Sequence, residues 1–304
     1  MTYRLRESET TGCGLTRIVR EQIDAASEAL QDGQLDRGKA VHQARKRFKK
    51  IRAVIRLLRP RLGEIYRTEN VCFRDAGRKL AIARDAEVLL ATLDALREYS
   101  SDSGDVEAFE RVREALASAA GEMNANHELE RRVDEVLASL EAARTRLQSW
   151  PVGRLCGFTV VEAGYRKTFK RGRRAMTAAY ESGGPEAFHN WRKRVKYHWY
   201  QSRILRNVWP DVMTAHCKAV KRLGELLGRE HDLTLLADHI QQSRPEGSDA
   251  EAFDKVCSHL HRWQQDLRRQ AYPLGLRVFA EKPKRLCQRV SVYWDAWMAE
   301  IQSD

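Results

Sequence analysis

The stretch Val41–Pro60, VHQARKRFKKIRAVIRLLRP, constrains this chain most: it holds eight Lys or Arg and no acid, yet keeps a helical apolar pattern. Val41, Ala44, Phe48, Ile51, Ile55 and Leu58 recur at spacings of three and four, as on the core-facing stripe of an amphipathic helix. One residue further round lies a second stripe, His42, Arg45, Lys49, Arg52, Arg56 and Arg59. A step of one residue is about 100° on a helix of 3.6 residues per turn, so the cations border the buried seam. Like charges one turn apart repel and destabilise an isolated helix. The pattern predicts an anion against this face.

The design returns at Phe188–Pro210, FHNWRKRVKYHWYQSRILRNVWP, 147 positions later. His42, Arg45, Lys46, Arg47, Lys49, Arg56 and Arg59 correspond to His189, Arg192, Lys193, Arg194, Lys196, Arg203 and Arg206. The register continues, with Gly77, Leu80, Asp85, Val88 and Leu89 matching Gly224, Leu227, Asp232, Leu235 and Leu236. Held over so many residues, the offset marks an internal duplication. Residues 1–149 and 150–304 are the expected repeats, with Trp150-Pro151-Val152-Gly153 at their boundary. The halves differ in detail: Lys50, Arg52 and Arg84 become Tyr197, Trp199 and His231.

Charge sharpens the point. The net charge is +12 with a pI near 9.6, and the two basic stretches alone carry +8 and +6, so everything else sums to −2. Concentrated cations argue for an anionic partner, such as a phosphate polymer or a nucleic acid. Six cysteines lie far apart with no C-x-x-C pair, which reads as reduced thiols in a cytoplasmic protein. No apolar run is long enough to span a membrane and no signal-peptide pattern opens the chain.

Period-two alternation is absent, and the chain reads as all-α, two antiparallel four-helix bundles side by side. Residues 1–10 are expected to be ragged. Helices are expected at 15–30, 35–59 (broken by Pro60), 62–99, 106–147 with a break near Gly121–Asn126, 153–180, 185–209, 210–242 and 249–272. A turn around Pro273–Pro283 then leads to a last helix.

The H-x-x-R-K-x-x-K signature at His42 and again at His189, each followed by a block such as LAIARDAEVLL or LGELLGREHDLTLL, resembles the CHAD domain family of conserved-histidine α-helical proteins. The likeness spans about residues 12–302. It implies two four-helix bundles related by a pseudo-twofold, their basic helices facing a shared cavity, and binding of inorganic polyphosphate without chemistry on it. It extends to localisation on polyphosphate granules. The triphosphatase domain often fused to such modules would show E-x-E-x-K, and this chain has only Glu7-Ser8-Glu9.

The candidate binding residues are His42, Arg45, Lys46, Lys49, Arg52, Arg56, Arg74 and Arg78 from the first half. His189, Arg192, Lys193, Lys196, Arg203, Arg206 and Lys221 come from the second. Arginine offers planar bidentate donation to phosphate and lysine a mobile point charge. If His42 and His189 are ligands, affinity is expected to rise as pH falls through the histidine range near 6.5. Asp85 and Asp232 are expected to orient cations, not to catalyse. Cys257-Ser258-His259-Leu260-His261 has ligand-type residues at a period of two, which scatters them around a helix, so no metal site is expected. Trp191, Trp199 and Trp209 could stack bases in a nucleic-acid binder, but Trp191 aligns with Ala44 on the apolar stripe. The run Arg166–Arg174 fits either a solvated face or an extension of the anion surface. A polyphosphate hydrolase, the remaining alternative, would need a metal-binding carboxylate cluster, which the basic segments lack.

Overall fold

Start signals in the sequence set the helices. In the computed structural model, which describes residues 3–81, 85–100, 104–121, 126–244 and 250–303, α1 (Thr11–Gln31) begins where the Thr10 side chain accepts the Cys13 amide, 3.1 Å away. Helix α2 (Arg37–Leu57) opens on Asp36, whose carboxylate takes the Lys39 amide at 2.9 Å. A short α3 (Arg59–Leu62) seats Pro60 in its first turn, where a missing N–H does no harm. Then follow α4 (Ile65–Lys79), α5 (Asp85–Tyr99), α6 (Val106–Gly121) and α7 (Asn126–Leu147). The second half comprises α8 (Glu162–Ser182), α9 (Pro185–Ile204), α10 (Pro210–Gln242), α11 (Ala250–Val278) and α12 (Pro283–Ser303). Gly183 ends α8 with φ +65°, the left-handed conformation glycine adopts without strain, and Pro185 opens α9. No strand occurs among the described residues, and the fold is all-α.

The apolar stripe of α2 is the core seam its spacing predicts. Val41, Ala44, Ile51, Ile55 and Leu58 are fully buried and Phe48 nearly so. Helices α1, α2, α4 and α7 pack in a ring, each touching the next. In the second half α8, α9, α10 and α11 pack in sequence, with α12 laid on α8. One apolar core runs through both groups, from Leu15 and Phe48 to Trp191 and Val195. A second, separate core joins the halves elsewhere. There α5 and α6 supply Leu93, Leu96, Phe109 and Val112 against Leu233, Leu236, Phe253 and Val256 of α10 and α11.

The halves also meet where α2 crosses α9. Gln201 donates to the Ala53 carbonyl at 3.1 Å, the Arg56 guanidinium lies 4.4 Å from the Tyr197 ring, and Arg203 acts electrostatically on Lys50. Shifting by 147 in both directions exchanges the pair 56/197 with the pair 203/50, as a twofold relation of the repeats requires.

Five expectations need correction. The segment from Tyr3 to Thr10 is not ragged: Tyr3 and Leu5 are buried, the Tyr3 hydroxyl donates to the Lys50 carbonyl at 2.9 Å, and the Leu5 amide donates to Ile204 O at 3.1 Å. Short segments lack periodicity, so their docking is invisible in sequence. The expected helix 62–99 is two helices, because α4 stays in the first ring while α5 leaves it for the second core. After Trp150 the chain is irregular up to Glu162, since Val152, Phe158 and Val160 are buried in a connector whose Leu155 carbonyl accepts the Gly12 amide at 2.9 Å. Helix α9 ends at Ile204, and Arg206–Val208 form a separate 3-10 turn before Trp209. Pro273 does not end its helix: α11 continues to Val278, held by buried Ala271 and by Gly275 flush against Trp191 and Met176. An interior proline loses about 3 kcal/mol of helix propensity, which this packing outweighs.

Close helix crossing depends on Gly164. A Cβ there would overlap the Leu57 carbonyl and Cα, so α8 can approach the end of α2 only without a side chain at this point. Gly164→Ala is expected to lower stability by roughly 1–3 kcal/mol, the usual penalty of overpacking. Gly33→Ala, with nothing within 4 Å of its added Cβ, is the control expected to be neutral or mildly stabilising. Urea melts of the two variants check the difference.

Candidate functional site

The buried seam of α2 fixes the cationic stripe beside it. His42, Lys46 and Lys49 are exposed, while Arg45, Arg52, Arg56 and Arg59 are half-buried. On α9 the seam of Phe188, Trp191 and Val195 does the same for half-buried His189, Arg192 and Lys196, with Lys193 outside. Because α2 and α9 cross, the two stripes act on each other. Lys49 of the first half depresses the pKa values of His189 and His231, and Lys46 depresses those of Lys50 and Lys196. The run continues through Arg194, which feels Arg56, to Arg52, which feels Arg56 and Arg74. A belt of cations from both halves is therefore in mutual electrostatic contact.

Burial dominates the protonation of this belt. Desolvation, aided by Lys193, Arg192 and Lys49, pushes His189 down to about 4. His231 is pushed to about 3 by burial and by His189, whose ring centroid lies 4.0 Å away. Lys50, buried under the N-terminal segment with its ammonium 5.3 Å from the Tyr3 ring, drops to about 8 through burial and then Arg47 and Arg203. Desolvation also lowers Arg192, although Asp232 and Glu230 work against it. Asp232 thus stabilises a cation. Arg84 lies outside the described residues, as does the Asp85 side chain.

Aromatic faces replace carboxylates as partners for many of these cations. Arg56 donates to the Tyr66 hydroxyl at 3.1 Å and covers Tyr197; Arg203 lies 5.1 Å from the Trp199 ring and 5.4 Å from Tyr3. Lys196 sits 5.2 Å from the Trp199 ring. Cation–π contacts of this kind are worth about 0.5–1 kcal/mol when exposed and about 2 when desolvated. They hold the charges in place without neutralising them. Several donors remain unpaired: Arg56 Nε, Arg192 Nε and His189 Nδ1 are buried and have no hydrogen-bond partner.

Not every candidate joins the belt as a free charge. Arg74 is held bidentately by Asp75 at 2.7 and 2.9 Å, Arg78 lies 3.7 Å from the same carboxylate, and Lys221 pairs with Glu225 at 3.0 Å. Arg206 sits half-buried in the 3-10 turn Arg206–Val208 after α9. Sequence reading passed over His231, Tyr66, Tyr197 and Arg194. Tyr197 and His231 stand where the first repeat has Lys50 and Arg84, so divergence within the repeat was the available signal. Trp191 is fully buried, as the stripe predicts, whereas Trp209 is 44 % exposed and packs edge-on against Tyr293. His259 bonds Asp105 at 2.9 Å and His261 bonds the Cys257 carbonyl at 2.8 Å. No group of three metal-ligating side chains occurs among the described residues.

The depressed histidines move the expected pH window. In the free protein His189 and His231 are neutral throughout the neutral range, because burial among Arg192, Lys193 and Lys49 disfavours imidazolium. Folded pKa values near 4 and 3, against about 6.5 unfolded, mean that the unfolded chain binds more protons as pH falls. Their contribution is fully present above pH 6.5 and is lost on acidification toward 4. His189→Gln with His231→Gln is expected to flatten the acid limb of a stability–pH profile between about pH 6.5 and 4; an unchanged limb would place the titration elsewhere.

Comparison with curated proteins returns no match. The CHAD domain model matches residues 17–241, about three quarters of the sequence and inclusive of both basic helices and the α2–α9 crossing. On that match, the chain belongs to the CHAD domain family.

Proposed function

We propose that this chain binds inorganic polyphosphate along the belt formed by α2 and α9, without catalysing chemistry on it. One observation carries the reading. Lys49 and Lys46 of one repeat are held within electrostatic range of His189, His231 and Lys196 of the other, and burial and the surrounding cations lower the pKa values of all three. A flexible polyanion with about one charge per internal phosphate would relieve that repulsion and meet the unpaired Arg56, Arg192 and His189 donors. Family membership supports the same ligand class. The nearby acids Asp75 and Glu225 are engaged with Arg74 and Lys221, which favours binding over metal-assisted hydrolysis.

The chief alternative ligand is a nucleic acid. Bases need open aromatic faces, whereas here Arg56 covers Tyr197, Arg59 covers Tyr66, and Lys196 and Arg203 lie over Trp199. A bare phosphate chain has no such requirement. In a cell the protein would accordingly lie in the cytoplasm and gather on polyphosphate granules, which a fluorescent fusion would display.

Two measurements test the reading. Affinity for long polyphosphate is expected to fall linearly on a log–log plot against salt, since neutralised charges release counterions. Binding indifferent to salt would contradict it, as would displacement of polyphosphate by stoichiometric nucleic acid. Charge reversal then tests whether both repeats share one ligand. Lys46→Glu with Lys49→Glu, and separately Lys193→Glu with Lys196→Glu, should each weaken binding by about 1–4 kcal/mol in a partly screened site. Arg192 is left in place because Asp232 and Glu230 act on it. Arg131→Glu with Arg132→Glu, on a surface where both already pair with Glu128, should do far less. If either repeat's reversal is silent for chains of every length, the repeats do not share a ligand.

Proton linkage follows with its sign. A bound polyanion raises the pKa values of His189 and His231 from about 4 and about 3. Affinity therefore rises as pH falls below the bound-state values, with the gain complete only below about 3, and binding takes up protons. Calorimetry in buffers of different ionisation enthalpy is expected to show that uptake in the native protein and not in His189→Gln/His231→Gln.

A further inference from the structure

A recess at the C-terminal end of α2 is more specialised than the belt. Five cations line it: Arg56 and Arg59 at the junction of α2 and α3, Lys167 and Arg171 of α8, and Arg194 of α9. Tyr66 and Tyr197 complete the walls around a small cavity of about 20 Å³. Gly164 is what lets α8 bring its two cations there, because it presses against Leu57 with no side chain between.

The recess is short of negative charge. Among the described residues no carboxylate lies within ion-pair distance of any of the five, and the ion pair on α8, Arg166 with Glu162 at 3.8 Å, involves neither Lys167 nor Arg171. Arg56 and Arg59 are instead fixed over the Tyr197 and Tyr66 rings at 4.4 and 4.7 Å, and the buried Arg56 Nε has no partner. Desolvation followed by Arg59 and Arg171 lowers Lys167, so the cations destabilise one another.

It also breaks the symmetry of the repeat. At the equivalent place in the other half, Tyr66 corresponds to Met213 and Tyr197 to Lys50. Arg56, Arg59 and Arg194 keep cationic equivalents in Arg203, Arg206 and Arg47, so the two ends differ in their aromatic walls.

We propose that the recess captures a single terminal phosphoryl group. Such a group carries about −1.5 to −2 at neutral pH with three acceptor oxygens, while an internal phosphate carries about one charge. A compact cluster of cations therefore favours the end of a chain over its middle. That volume exceeds the roughly 10–15 Å³ a single water needs, and its size and cationic walls suit one phosphoryl group and not a nucleoside. The terminal group of a polyphosphate and a free phosphate ion share this chemistry; the first source rests on the function proposed above, the recess itself does not.

The test compares the native protein with Lys167→Ala/Arg171→Ala, both exposed positions where alanine preserves the helix. Each is titrated with orthophosphate, tripolyphosphate, long polyphosphate with free ends, and the same polymer with both ends blocked as amides. Tripolyphosphate, rich in ends, is expected to lose roughly tenfold or more in affinity in the variant, as for loss of one or two charge-assisted hydrogen bonds. The native protein is expected to prefer free-ended over blocked long chains, and the variant to lose that preference. Equal weakening of free and blocked chains, or unchanged tripolyphosphate binding, overturns end capture. Loss of orthophosphate binding alone supports the recess with the free ion as its occupant. If the native protein binds tripolyphosphate through these residues but ignores long polymer, the recess stands and the proposed function fails. Should the alanine pair reduce helicity, Lys167→Gln/Arg171→Gln repeats the comparison.

Discussion

The crossing of α2 over α9 is the interaction on which the rest depends. Two helices bearing cations beside their buried seams are brought together, and the contact between them is made by small and neutral groups. Ala53 and Gln201 meet through a hydrogen bond at the centre, with the Tyr3 hydroxyl on the Lys50 carbonyl alongside. Repulsion across this contact is relieved in ways that keep the charge available. Lys50 shifts toward neutrality, and Arg56 and Arg203 lie on aromatic rings. Strongly desolvated cations without partners cost several kcal/mol each, and the partial exposure of the Arg and Lys side chains limits that cost. The apolar core beneath them, from Phe48 and Ile51 to Trp191 and Val195, must carry the remainder.

That core and the second one are separate, and the separation matters for the site. Along α10 the first core ends at Leu227 and the second begins at Leu233. Between them lie Gly228, Glu230, His231 and Asp232, the residues that meet His189 and Arg192. The polar cluster thus sits where one helix passes from one apolar environment to the next. Glu230, 1 % exposed, is held by Arg268 at 2.6 Å, which anchors α11 against this polar interval. The halves are joined on both sides of the interval, so the opposed cations cannot relax apart without disturbing a core.

Much of this was legible in the chain because two periodicities coincide. The three-and-four spacing of Val41, Ala44, Phe48, Ile51, Ile55 and Leu58 fixes which face of α2 is buried, and the neighbouring stripe follows from helix geometry alone. The 147-residue offset likewise predicts that contacts across the crossing come in exchangeable pairs. What could not be read depends on tertiary docking without periodic signal. Tyr3 and Leu5 are a short extended segment whose burial is decided by α9. The departure of α5 from the first ring is decided by the second core. The depressed histidines were missed for the same reason: sequence shows neighbouring charges but not the desolvation that dominates them.

Divergence between the repeats explains why the two ends of the belt are not equivalent. A perfect duplication would present a polyanion with identical ends. Here the pair Arg56 with Tyr197 at one end exchanges with Arg203 and Lys50 at the other, so the first places a cation on a ring and the second places a cation beside a cation. The second arrangement is tolerated because Lys50 is pushed to about 8 and covered by Tyr3, which also receives Arg203. Tyr3 belongs to the N-terminal segment and to no repeated helix, so the asymmetry is stabilised by a part of the chain outside the duplication. The end with Tyr197 needs no such cover, and there the buried Arg56 Nε is left without a partner. The belt therefore has one end covered by the N-terminal segment and one where a cation lies on a ring.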